Sequence, residues 1–465
     1  KYYYFPLQVR LLKFLTSFLG ALFHYNEYMS SRTDDTISDV FDGIRWKQFE
    51  QEMSENEKIV GMLLGWDSGQ KFNRAPGESF TPIFVTILNL PPCLRDKLHV
   101  GLFITCLDDG NHYCVWDAFV KELNYLWRVG IVVRGIRYRF GIVTFSLDRK
   151  ATESLTRTQN TQAYAGCNVC HYPTIRVGNS HCFIGSRREL PADHPKRNAT
   201  PYNRRKSGKG LQFRQREDAP PPTERTYNEY LRNAETAESN ANSEPFDGVH
   251  HGVWALNKLD YASLIHWGQD GMHLLMHIVE DSMKVLKRTR GTKKNRTTTD
   301  SVLKWCRDNN VHGDVTSSGM IHPKWTLTRG EEIEVHKTMQ DKPSGEVPWT
   351  MRFPLDYNGG YYTHDKIMWA ANYAEECLRG KGDECVTNNI LELFEMVKTA
   401  IQFQFSKKDL DESIIPRLIE VLVDHEELLP PTESTVLFIL YYIFSAILKS
   451  LAHHVNSGCL NLKGK

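Results

Sequence analysis

The sequence predicts an α/β fold, because short apolar segments typical of buried strands are combined with segments of helical periodicity. Three strand-like segments come first, Ile59–Trp66, Phe80–Leu88 and Leu98–Cys106, each bounded by glycine, proline or asparagine. Val115–Trp127 then has the apolar spacing of a helix, and Tyr138–Leu147 is a further strand. A sheet with at least one helical crossover is therefore expected in the first third of the chain.

An aspartate follows the first and the fourth of these strands, Asp67 and Asp148. The order strand, strand, strand, helix, strand is that of an RNase H-like fold, in which those two strands are central and adjacent. Hard cations such as Mg²⁺ or Mn²⁺ prefer carboxylate oxygens, and two of them can catalyse phosphodiester cleavage. We therefore predict Asp67 and Asp148 as catalytic metal ligands. The alternatives are a turn acid for Asp67 and a helix N-cap for Asp148.

The 465 residues divide by composition into five regions. We expect a helical lead-in over 1–50, with an amphipathic helix at Leu11–Phe23, the α/β core over 51–165, and a basic insertion over 166–253 that is partly flexible. A helical segment over 254–300 and a mainly helical region over 301–465 follow. The apolar stretch 435–448 is shorter than the roughly 20 residues that span a membrane, so no membrane association is expected.

The insertion contains Cys167 and Cys170, whose spacing suits two bonds to one Zn²⁺. Two further ligands are needed, and His266 and His273 are the first candidates. His277, at the helical i, i+4 spacing from His273, is another. The competing ligands are His171, His181 and Cys182, and the alternative is a pair of buried free thiols. Such a site would be structural, since it would hold the insertion against the helix that follows.

Basic residues crowd together after the cysteine pair although the net charge of the chain is only +1. Four of them are candidates for contacts with DNA phosphates: Arg187, Arg188, Lys196 and Arg197. A solvated loop is the alternative. The ten cysteines are irregularly spaced, unlike a disulfide framework, and this favours a reducing compartment such as the nucleus or cytosol. Because the chain begins with Lys1, we expect a fragment of a longer protein.

A collinear series of motifs runs along most of the chain. In order they are FPLQVRL (5–11), DGIRWKQF (42–49), LGWDSG (64–69), ILNLPP (87–92), KELNYLW (121–127), GCNVC (166–170), CFIGSRRELP with His194 and Pro195 (182–195), DGMHL (270–274), and LPP with two histidines (429–454). This series resembles that of CACTA (En/Spm)-type transposases, which are DDE-type cut-and-paste enzymes.

The resemblance implies an RNase H-like catalytic core with a zinc-binding basic insertion and an α-helical C-terminal region. It implies DNA cleavage and strand transfer at transposon ends in the nucleus, with Mg²⁺ or Mn²⁺ as the catalytic metal and Zn²⁺ as a structural one. Asp270 would complete the triad with Asp67 and Asp148, and Glu280 and Asp281 are alternatives. The apolar C-terminal helices are expected to serve packing or self-association, so a homo-oligomer is expected. The competing hypothesis is a catalytically inactive, domesticated DNA-binding descendant or a zinc-stabilised interaction protein.

Overall fold

The structure is a computed structural model of the whole chain. It describes residues 2–429 except for 67–68, 71–78, 96, 98–99, 109–112, 161–162, 164, 172–174, 178–179, 183–185, 196, 198–222, 241–243, 253, 266–270, 288–313, 316–320, 323–324, 344, 353, 356–362 and 403–404.

A curled mixed sheet forms the first part of the fold. Its strands are β1 (Tyr2–Tyr4), β3 (Glu57–Trp66), β4 (Gly69–Gln70), β5 (Ser79–Ile87), β6 (Leu102–Asp108), β7 (Ile131–Val133) and β8 (Ile136–Ser146). The order across the sheet is β1-β6-β5-β3-β8-β7, with β4 paired to β5. All neighbours are antiparallel except β3 and β8, which are parallel. The predicted strand segments are confirmed as β3, β5, β6 and β8.

The parallel pair is connected through a helix, as parallel neighbours require. The helices of this part are α1 (Gln8–Ser31), α2 (Ile44–Gln51), α3 (Pro92–Arg95), α4 (Tyr113–Arg128) and α5 (Arg149–Thr156), with a short strand β2 (Thr36–Ile37) after α1. Helix α4 confirms the predicted helix at Val115–Trp127, and α1 contains the one predicted at Leu11–Phe23. Among the described residues, no helix is both long and apolar enough to cross a membrane.

Two glycines opposite each other on the central strands make room for large aromatic rings. Gly61 of β3 pairs with Gly141 of β8. A Cβ atom at Gly61 would lie 2.4 Å from Cζ3 of Trp46, and one at Gly141 would lie 3.0 Å from Cε1 of Phe49 and 3.1 Å from Cζ3 of Trp127. Helices α2 and α4 therefore pack closely on the sheet because neither glycine has a side chain.

A β-bulge interrupts the β3–β8 pairing near its centre. Met62 pairs with Ile142 and Leu63 with Thr144, so Val143 is the extra residue. The amide of Ile142, next to the bulge, donates a hydrogen bond to the buried Tyr261 hydroxyl at 3.2 Å. The segment around residues 254–265 is thereby fixed to the sheet.

The predicted insertion contains more regular structure than its composition indicates. It includes a small hairpin, β9 (Ile175–Val177) and β10 (Ser180–Cys182), and a helix, α6 (Tyr227–Ser239). Helix α6 begins with a capping box, in which Thr226 and Glu229 bind each other's backbone amides. Tyr230, Ala234 and Ala237 are its buried side chains. This helix is an ordered part of the predicted insertion over 166–253.

The C-terminal part, as far as the structure describes it, is mainly helical. Its elements are α7 (Gly271–Leu286), β11 (Asp314–Val315), β12 (Ile321–His322), α8 (Arg329–Gln340), α9 (Thr363–Asn372), α10 (Ala374–Leu378), α11 (Glu384–Ala400), β13 (Phe405–Ser406), α12 (Lys407–Asp409) and α13 (Ile415–Leu428). A π-helical turn, Leu410–Ile414, joins the last two helices. The buried apolar side chains form two clusters, one around the sheet and one among these helices.

Candidate functional site

The ends of the two central strands form the first candidate site. Gly65 of β3 pairs with Ser146, the last residue of β8. Asp67 stands two residues beyond Gly65, and Asp148 stands two residues beyond Ser146. Asp67 itself lies outside the described residues. The structure therefore gives the register of the strands that lead into both acids, and the side chain of one of them.

Asp148 is the N-cap of α5, so the helix-cap interpretation of this residue is confirmed. Its Oδ1 atom accepts a hydrogen bond from the Ala151 amide at 2.6 Å. The Thr152 amide and the Thr152 hydroxyl each donate to the Asp148 carbonyl at 2.9 Å. These bonds fix the residue at the start of the helix, where the backbone dipole favours a negative charge. Only Oδ1 takes part in the cap, so capping does not use both carboxylate oxygens.

The cysteine pair forms the second candidate site. Cys167 and Cys170 are 2% and 0% exposed, and the Cys170 thiol donates a hydrogen bond to the Cys167 sulfur at 3.3 Å. That bond lowers the pKa of Cys167 to about 6, since it outweighs the effect of burial and is reinforced by the positive charge of Arg149. Both cysteines lie in the same buried cluster as Leu274 and Ile278 of α7.

A distant segment of the chain encloses the turn that carries the two thiols. The Arg225 amide donates to the Val169 carbonyl at 2.8 Å, and Cys170 forms a β-bridge with Glu224. The Arg225 side chain donates from Nε to the carbonyls of Cys167 at 2.9 Å and Cys170 at 3.2 Å. These bonds hold the two cysteine residues in one fixed turn, which we call the cysteine turn (residues 166–170).

The thiol pair fits half of a tetrahedral zinc site. With Zn–S bonds of about 2.3 Å, two thiolates on one zinc ion lie about 3.8 Å apart, close to the 3.3 Å separation observed here. Two thiols are too few by themselves: no group of three or more His, Cys, Asp or Glu side chains that could hold a metal occurs in the described part of the chain. In that part of the chain, the structure thus brings no third ligand to the two thiols.

The histidines predicted as zinc ligands lie in different parts of the chain. His273 and His277 are both half-buried on α7, whereas His266 lies outside the described residues. The Nδ1 atom of His171 lies 3.2 Å from Asp247 and its Nε2 atom 3.5 Å from Glu229, so carboxylates and not the thiols surround this ring. The side chains of the other two competing ligands, His181 and Cys182, lie outside the described residues.

The acids considered for the third position lie on or before α7. Asp270 is outside the described residues. The Glu280 carboxylate forms an ion pair with Lys366, and Asp281 forms one with Lys284 at 2.7 Å. Each of these two alternatives therefore already has a lysine partner.

Of the four basic residues predicted to bind phosphates, the side chain of one is described. Arg197 is half-buried, and its Nη1 atom donates to the Leu190 carbonyl at 3.0 Å. Arg187 and Arg188 belong to a short 3₁₀ helix, Ser186–Glu189, but their side chains and the whole of Lys196 lie outside the described residues.

Three charged residues next to the cysteine turn have no counterpart among the sequence-based predictions. They are Arg149, whose guanidinium donates to the Gly166 carbonyl, Arg225, and Asp247, which pairs with Arg225 at 2.8 Å. The only local indication for Arg149 was the i, i+4 spacing from Glu153, with which it forms an ion pair at 2.7 Å. Arg225 lies 55 residues from Cys170 along the chain, so no local pattern relates the two.

The chain matches no protein-family model, and no curated protein shows significant similarity to it. The functional interpretation therefore depends on the geometry above and on the motifs in the sequence.

Proposed function

We propose that the chain is a DDE-type transposase with an RNase H-like core, which cleaves DNA at transposon ends and transfers the 3′ ends to target DNA with the help of divalent metals. The observation that carries the proposal is the parallel register of β3 and β8. Asp67 and Asp148 each follow the Gly65–Ser146 pair by two residues. Continuation of that register would bring both carboxylates to the same edge of the sheet.

The chemistry requires carboxylates at such an edge. One cation activates the attacking hydroxyl and a second stabilises the leaving oxygen, and hard cations need oxygen ligands for both tasks. Asp148 has one carboxylate oxygen held by the α5 amide, which fixes the direction of the side chain while the other oxygen can bind a metal. Asp270 would supply the third carboxylate, with Glu280 or Asp281 in its place if their lysine partners move.

The remaining parts of the proposal concern the surroundings of this edge. Cys167 and Cys170, with His266 and His273, would bind one structural Zn²⁺. The basic residues Arg187, Arg188, Lys196 and Arg197 would contact DNA phosphates. The C-terminal helices would mediate assembly into a homo-oligomer, and the protein would act in the nucleus.

The test is nicking of supercoiled plasmid DNA in the presence of Mg²⁺ or Mn²⁺. We expect the wild-type chain to produce open circles, and Asp148→Asn and Asp67→Asn each to reduce the rate by at least about a hundredfold, as loss of a catalytic metal ligand should. Asp117→Asn is the matched control, because Asp117 is an exposed aspartate on α4 that pairs with a surface lysine, Lys258. Equal nicking by the wild type and the Asp148 variant would refute the proposal.

A second candidate is favoured by the N-cap role of Asp148, which gives this acid a structural reason to be present. In that case the chain would be a non-catalytic, DNA-binding descendant of such an enzyme. It would retard plasmid DNA on a gel at low salt without nicking it, and Asp148→Ala, which removes the acceptor for the Ala151 amide, would leave DNA binding unchanged but lower the thermal stability.

A further inference from the structure

Arg149 follows Asp148 in the chain, and its side chain contacts the cysteine turn. It is the first residue of α5, directly after Asp148. Its Nε atom pairs with Glu153 at 2.7 Å, and its Nη2 atom donates to the carbonyl of Gly166, the residue before Cys167. One side chain thus connects the helix that Asp148 caps with the cysteine turn.

The guanidinium of Arg149 is mostly enclosed by protein. Its side chain is 19% exposed, and its Nη1 atom is buried without a hydrogen-bond partner among the described residues. A buried donor with no partner is costly. The position of this guanidinium is therefore defined by its contacts with the Glu153 carboxylate on α5 and the Gly166 carbonyl in the cysteine turn.

The cysteine turn is also held firmly on its other side, so a change in its position cannot simply be absorbed there. Arg225 binds the Cys167 and Cys170 carbonyls and pairs with Asp247. Behind the turn, a Cβ atom at Gly248, where φ is +80°, would lie 2.2 Å from the Ala165 carbonyl oxygen. Arg225 thus restrains the cysteine turn on this side, and the Arg149 guanidinium contacts it at the Gly166 carbonyl.

We propose that Arg149 is a positioning residue, which transmits the state of the Cys167–Cys170 pair to Asp148. When the thiols bind a cation such as Zn²⁺, the cysteine turn fixes the guanidinium, the guanidinium fixes the first turn of α5, and that turn fixes the Asp148 carboxylate. The consequence for catalysis rests on the proposed function, whereas the mechanical coupling does not.

The coupling is tested without DNA by hydrogen–deuterium exchange of the Ala151 amide, the donor to Asp148 Oδ1. In the wild-type chain, Zn²⁺ should slow this exchange several-fold and Cys170→Ala should accelerate it. In the Arg149→Gln variant, which should remain folded, neither Zn²⁺ nor Cys170→Ala should alter the exchange rate of the Ala151 amide. Lys150→Gln, at the exposed next position on α5, is the matched control and should respond like the wild type. Exchange that is indifferent to both Zn²⁺ and Cys170→Ala in the wild type, or that responds equally in Arg149→Gln, would overturn the proposal.

The catalytic consequence is tested by plasmid nicking at varied Mg²⁺ concentration. Arg149→Gln should raise the Mg²⁺ concentration for half-maximal nicking about tenfold, as expected for residues that orient metal ligands, while DNA affinity stays the same. Arg149→Lys, which keeps a donor for the Gly166 carbonyl, should restore part of this loss. Nicking that depends on Asp148 but not on Arg149 would refute the inference and leave the proposed function intact. If Zn²⁺ and Cys170→Ala change the exchange of the Ala151 amide through Arg149 but the chain does not nick DNA, the inference stands and the proposed function is refuted.

Discussion

The packing of aromatic rings on the paired glycines gives a sharp prediction for Gly61→Ala. The new Cβ atom would lie 2.4 Å from Cζ3 of Trp46 and 2.9 Å from Cγ2 of Val143, and neither neighbour has free space, since both are at most 2% exposed. Overpacking of this kind costs about 1–3 kcal/mol, whereas alanine in place of glycine in a strand gains about 0.5–1 kcal/mol. We therefore expect the free energy of unfolding to fall by about 1–2 kcal/mol.

The assay is urea denaturation followed by circular dichroism. Gly20→Ala is the control, because Gly20 is an exposed residue within α1 and an added Cβ atom there would have no other atom within 4 Å. This variant should be more stable than the wild type by about 0.5–1 kcal/mol, since alanine favours a helix more than glycine does. In a Trp46→Leu background, the penalty of Gly61→Ala should largely disappear, because the clashing ring is gone. If Gly61→Ala is as stable as the wild type, or if its penalty persists without Trp46, the described packing of α2 on the sheet is wrong.

Three further predictions concern single residues. His425 is 1% exposed, and burial lowers its pKa from 6.5 to about 3. As the pH falls, the histidine of the unfolded chain is therefore protonated before that of the folded chain. The contribution of neutral His425 to the free energy of unfolding is complete above pH 6.5 and is lost as the pH falls towards 3. His425→Gln, which can still donate to Asn389, should therefore lose less stability between pH 7 and pH 5 in urea titrations than the wild type; an equal loss would contradict the reasoning. Arg134 has a φ of +53° in the two-residue turn between β7 and β8, so Arg134→Asn should raise the free energy of unfolding by about 1 kcal/mol, and a less stable variant would count against it. The purified chain should bind about one zinc ion, and the Cys170→Ser variant should bind none, as measured by mass spectrometry under native conditions. Equal zinc content in the two proteins would exclude the cysteine site.

The central strands were predictable because buried strands appear in a sequence as short apolar runs. β3, β5, β6 and β8 all follow this rule, and α4 follows the helical period. The edge strand Tyr2–Tyr4 was not predicted, because three residues that pair with a strand about 100 positions away leave no local pattern. For the order of the strands, only the adjacency of the first and fourth was inferred, and the corresponding strands β3 and β8 are neighbours in the sheet.

Helix α6 could have been predicted from its sequence motifs, although the polar composition of the region did not indicate a helix. Its polar surroundings favoured a flexible segment, yet Thr226 and Glu229 have the spacing of a capping box, and Tyr230, Ala234 and Ala237 recur at helical spacing. Motifs at element boundaries were thus more reliable than average polarity. The helix forms because its apolar face is buried.

For the candidate site, the sequence predicted residues but not the contacts between them. Asp148 was predicted at the end of a strand, and the cysteine pair was predicted as a unit, since both depend on local sequence. Arg149 and Arg225 could not be predicted as partners of the cysteine turn, because the contacts join separate elements after folding. The contact of Arg149 with the cysteine turn is therefore visible only in the folded chain.

The central claim is that Asp67 and Asp148 hold divalent metal at one edge of the sheet. Its most direct test replaces Mg²⁺ with Fe²⁺ in the presence of ascorbate and peroxide, so that hydroxyl radicals formed at the bound metal cut the nearby backbone. We predict two sites of cleavage in the same chain, around residues 67 and 148, which excess Mg²⁺ suppresses and Asp148→Asn abolishes while Asp117→Asn does not. Cleavage at neither position, or cleavage that is unchanged in Asp148→Asn, would contradict the claim.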